Sequence, residues 1–199
     1  MRREQSAEHG EAHRRAELDR LMAALRGADR GQQLAALRAL AKAPDLQQGP
    51  ALLALLTEPT TPPALGQELF HLLANAKVSS LVPAVGAALA EANTPHALQL
   101  LLQLCWQSPL DFSPLLPQLV PLIAHEDLQV QIEAVTSVRY ALDRCPAGLL
   151  EQVVAQLTAL RKQKPEKTTD ALLAETLNAA KYRLSDQSGS AELDYQAEP

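Results

Sequence analysis

The sequence predicts an all-α fold, arranged as an α-solenoid of about five antiparallel helical hairpins, and three observations carry that expectation. Apolar residues make up 47% of the 199 positions but aromatics only 3%. Much of the apolar content is Leu and Ala, which favour helix, while the β-branched and aromatic types that favour strands are scarce. Helix-start signals recur about every 33 residues. Each hairpin between them is too small to bury its own apolar face, so neighbours must stack to complete a core.

Taken in order, the first helix is expected over about 12–26. The second, 30–43, opens at Asp29, an N-cap with Gln32 three residues later as a capping box. Pro50 opens the third, 49–57. Thr61-Pro62 reads as an N-cap followed by proline at the first helical position of a fourth, 62–76. Pro83 marks the fifth, 80–91, and Thr94-Pro95 repeats the cap signal for the sixth, 95–107. The longer connection QSPLDFSP follows, with Phe112 expected to cover it and Ser113-Pro114 restarting a helix over 114–124. Asp127 caps the eighth, 128–144, and the last two cover 147–163 and 168–185. Residues 11–185 therefore form the repeat domain, between a flexible arm at 1–10 and a polar, acidic tail at 186–199 whose composition predicts disorder.

One unit carries a family signature. LLPQLVPLIAHEDLQVQIEAVTSVRYAL, residues 115–142, has a proline-containing first helix, Asp127 in the turn, Val130 three residues later and small apolar residues down the second helix. It resembles a HEAT repeat. The resemblance extends as a pattern over about 30–185, with one departure: Gln131 stands where a basic residue usually follows the valine. Armadillo repeats are the close alternative, but they need a third helix that a period of about 33 hardly accommodates. The HEAT resemblance implies a right-handed solenoid with the second helix of each hairpin on the concave side. It implies a protein-interaction module; HEAT-like enzymes or ligand-binding proteins, similar to phycobilin lyases or DNA glycosylases, are the alternative.

Charge and motifs narrow the class. The net charge is −5. The tail from Ser185 holds four carboxylates and no cation, and the first ten residues balance, which leaves −1 for residues 11–184. A nearly neutral body offers no footprint for nucleic acid. Cys105 and Cys145 are isolated, with no CxxC spacing, so neither a disulfide framework nor a zinc site is expected. His9 and His13 have metal-pair spacing, but Gly10 lies between them and no third ligand is evident. There is no phosphate-binding glycine loop and no carboxylate pairing for acid–base work. The basic run RKQKPEK at 161–167 is expected to be a solvated turn. MRREQSAEHG has no apolar h-region, and no apolar run is long enough to span a membrane. The expectation is a soluble, cytoplasmic, monomeric, non-catalytic chain with no cofactor, no nucleic acid and a protein or peptide partner.

A candidate site follows from the second helices. Helix 95–107 is apolar except for His96, Gln99, Gln103 and Gln107, which share one narrow face. One repeat later the equivalents are Glu133 and Ser137, with Arg144 further along; one repeat earlier they are Gln67, His71 and Asn75. These residues either simply face water or form a neutral, amide-rich groove that hydrogen-bonds a peptide. Trp106, the only tryptophan, aligns at steps of 33 or 34 with Leu40, Leu73 and Tyr140, which predicts a core or inter-repeat packing column, with a binding role as the alternative.

Overall fold

The computed structural model describes residues 2–42, 48–163 and 165–194, with side chains from 12 to 187 except 14 and the gaps. All regular structure among these residues is helical. The α-helices are α1 (Arg2–Arg26), α2 (Arg30–Leu40), α3 (Gly49–Thr57), α4 (Pro63–Ala74), α5 (Leu81–Glu91), α6 (Pro95–Gln107), α7 (Leu116–Leu119), α8 (Leu128–Leu142), α9 (Ala147–Lys162) and α10 (Lys167–Asp194). Short 3-10 turns, Ser113–Leu115 and Val120–Ala124, flank α7.

The starts are set locally. Asp29 accepts from the Gln32 amide, Thr94 from Ala97 and Asp127 from Val130, each filling a donor that the first turn leaves empty. Pro95 sits at the first turn of α6, where a missing N–H costs nothing. Thr61 is a correction. Helix α4 begins at Pro63 with Pro62 as its uncapped N-cap residue, and the Thr61 hydroxyl instead donates back to the Leu55 carbonyl of α3.

The expected seventh helix is broken. Pro114, Pro117 and Pro121 each lack an amide donor, so residues 113–124 alternate between 3-10 and α geometry. The two ends also differ from expectation. Helix α1 extends back to Arg2 across the proposed arm, and α10 runs on to Asp194 across most of the proposed tail. Both extensions lack proline, and good helix formers such as Arg, Glu, Gln and Ala carry the first of them. Residues 195–199 lie outside the described residues.

The helices pack in two series. The second helices α2, α4, α6, α8 and α10 each touch the next in order, and the first helices α3, α5, α7 and α9 do likewise. One continuous apolar core lies between them, from Met22 to Ala180. Phe112, expected to cover its connection, is 2% exposed and belongs to that core.

The core register overturns the expected place of Trp106. Leu40 and Leu73 are buried, but Trp106 is only partly buried and Tyr140 is 50% exposed. The buried column runs Leu40, Leu73, Cys105, Val138, all at 2% exposure or less. A second column, Ala36, Leu69, Leu101, Ala134, keeps the same register. The step from α4 to α6 is thus one residue shorter than the others, which turns Trp106 to the rim of α6.

Candidate functional site

The predicted site residues lie on or at the ends of the second helices, some exposed and some buried in the seam between α6 and α8. Gln67, His71 and Asn75 are exposed on or at the end of α4. His71 and Asn75 line a cleft of about 460 Å³ with Arg38, Glu68 and Lys77. The Asn75 amide donates to the His71 carbonyl, 2.8 Å, so part of its capacity closes the end of α4. On α6, His96 and Gln107 are exposed, while Gln99 and Gln103 are half-buried.

Glu133 and Ser137 depart from the expectation of a solvent-lining pair. Ser137 is fully buried; its hydroxyl lies 2.8 Å from the carbonyls of Leu102 and Glu133 and ties α8 to α6. Glu133 is 8% exposed. Its carboxylate accepts from Trp106 Nε1 at 3.0 Å and Gln103 Nε2 at 3.1 Å, both across the α6–α8 seam, and more loosely from Gln129 Nε2 at 3.4 Å. Gln103 and Glu133 are thus brought together by a direct hydrogen bond. The partly buried position of Trp106 explains this: its ring edge reaches the seam, where an indole N–H needs an acceptor.

Sequence reasoning missed the apolar part of this face. Leu128, Ile132 and Tyr140 are 53%, 42% and 50% exposed on α8, and Tyr182 is 70% exposed on α10. Leu128 and Ile132 are four residues apart, and Thr136 and Tyr140 continue the line at the same step. That spacing was readable; the direction in which the stripe points was not. A groove of about 590 Å³ lies between α8 and α10, lined by Thr136, Tyr140, Ala179 and Tyr182. Its charges pair internally: Arg139 with Glu175 at 2.7 Å, and Arg183 with Asp143.

Elsewhere the chemistry is structural. Cys105 is buried and donates to the Leu101 carbonyl, and burial pushes its thiol up to about 12. Burial, then the negative charge of Asp111, pushes Cys145 up to about 11. Neither thiol is poised as a thiolate nucleophile. In the basic run, Arg161 makes a two-pronged contact with Asp170, 2.8 and 3.2 Å, which holds the Asp170 carboxyl below its ordinary range. Gln131, in place of the basic ladder residue, donates to the His125 carbonyl and accepts from Thr169 of α10. The His9 side chain lies outside those described; among the described residues no three His, Cys, Asp or Glu gather as a metal site. No helix among them is long and apolar enough to cross a membrane.

No protein family matches this sequence, no curated protein matches it, and no solved structure matches the fold. The geometry of the face is therefore what bears on function.

Proposed function

We propose that the chain is a non-catalytic interaction module, a right-handed HEAT-like α-solenoid whose second-helix face binds a protein or peptide. One observation carries this reading. The four exposed large hydrophobics of the described residues, Leu128, Ile132, Tyr140 and Tyr182, all lie on second helices, on α8 and its neighbour α10. Aromatic and aliphatic groups gathered beside polar ones are the composition of a protein-binding patch rather than of a solvated helix face. The suppressed thiols support the non-catalytic part. The internally paired Arg139 and Arg183 support a partner other than nucleic acid, since neither is left over for a phosphate.

The test is affinity capture from the native cell with two surface variants beside the wild type. Ile132→Asp places a charge in the patch; Glu151→Lys alters an exposed residue of α9 on the first-helix series. The expected result is a reproducible protein partner that Ile132→Asp loses and Glu151→Lys keeps. A partner retained by Ile132→Asp and lost by Glu151→Lys overturns the reading, as does recovery of nucleic acid or a pigment.

A further inference from the structure

Glu133 has a property that bridging two helices does not use up. Its carboxylate is nearly withdrawn from water, yet every donor it meets is neutral: an indole and two amides. Among the described residues it makes no ion pair. Charges that are buried are ordinarily matched by an opposite charge. The arginines of the α8–α10 groove are engaged elsewhere, Arg139 with Glu175 and Arg183 with Asp143. An ionised carboxylate also offers about four lone-pair positions. Three are occupied here, one of them only by the long contact from Gln129, an exposed residue.

We propose that Glu133 is the receptor for a basic side chain, lysine or arginine, of a protein partner that lies across the α6–α8 seam. The occupant follows from charge complementarity: an uncompensated negative charge, preorganised by Trp106 and Gln103, is completed by a cation and by little else. The entering group displaces Gln129, the weakest and most exposed of the three donors. The partly exposed ring of Trp106 borders the entry and offers a cation–π surface. Leu128 and Ile132, exposed on the same helix, seat an aliphatic residue next to the basic one. The recognised element is thus a short segment with one Lys or Arg flanked by aliphatic side chains. This assignment rests on the interaction-face reading above.

The test uses the full chain and a random 12-residue peptide display library. Trp106 is the only tryptophan, so its indole N–H gives one nitrogen-15 resonance that reports on this site alone. Selected peptides are remade with the basic residue replaced by citrulline or norleucine. The expected result is that peptides shifting the indole resonance carry Lys or Arg, and that the neutral replacement weakens them about tenfold or more, as for a desolvated charge pair. Glu133→Gln is expected to bind the basic and neutral peptides alike. If Glu133→Gln does not fold, the peptide substitution on the wild-type chain decides. Peptides that shift the resonance with no need of a basic residue overturn the assignment and leave the interaction face standing. Peptides that leave it unmoved and protect the first helices from exchange, or no binding peptides at all, overturn both.

Discussion

Cys105 occupies in α6 the position that Leu73 holds in α4 and Val138 in α8, and each is buried to 2% exposure or less. Position in that column, more than residue size, sets what a substitution costs. Leu73→Ala removes fully buried methyl groups and leaves a cavity, so it is expected to cost about 2–5 kcal/mol. Trp106→Ala removes a larger but only partly buried ring and one hydrogen bond to Glu133, which keeps its two amide donors. Its expected cost is smaller, about 1–3 kcal/mol. Thermal melts of the two variants decide the order; a Trp106→Ala protein melting well below Leu73→Ala would restore the tryptophan to the core. The misplacement of Trp106 shows what one-dimensional spacing leaves out. A single shortened step between α4 and α6 turns a side chain by about 100°, enough to carry it from core to rim. Nothing local in the sequence flags that step.

At the scale of the helix, the start signals were the most legible feature, because capping is a contact between residues three apart. Asp29, Thr94 and Asp127 cap as their spacing suggests. Thr61 failed because two prolines follow it, and Pro62 and Pro63 shift the first turn by one residue. Asp127→Ala is expected to destabilise the fold by about 1 kcal/mol through the lost bond to Val130. Denaturant unfolding checks it: Asp127→Asn should recover most of the loss, and equal losses in both variants would show that the carboxylate acts otherwise. The broken segment at 113–124 was half legible. Its three prolines were visible, but apolar periodicity alone read through them as a single helix. The candidate face was legible only in its polar residues; whether Glu133 turns to solvent or to α6 depends on a contact 27 residues away.

For the whole molecule, the described residues form an all-α fold in which alternate helices touch in sequence order. A compact globule of this length has a radius of gyration of ~16 Å. In the proposed solenoid, five stacked hairpins at ~8–10 Å per layer would span ~40–50 Å along the stack. Small-angle scattering is therefore expected to return an elongated particle with a radius clearly above 16 Å, and a compact sphere would rule out the solenoid. The proline-broken segment has a mechanical meaning on this scale. Residues 113–124 contribute fully buried side chains, among them Leu116, Leu119, Val120 and Ile123, but little of the continuous hydrogen-bonded rod that stiffens the layers on either side. Side-chain contact grips there while the backbone ladder is interrupted. In the proposed solenoid, that layer is expected to bend most readily, because side-chain packing holds it while the backbone ladder is broken.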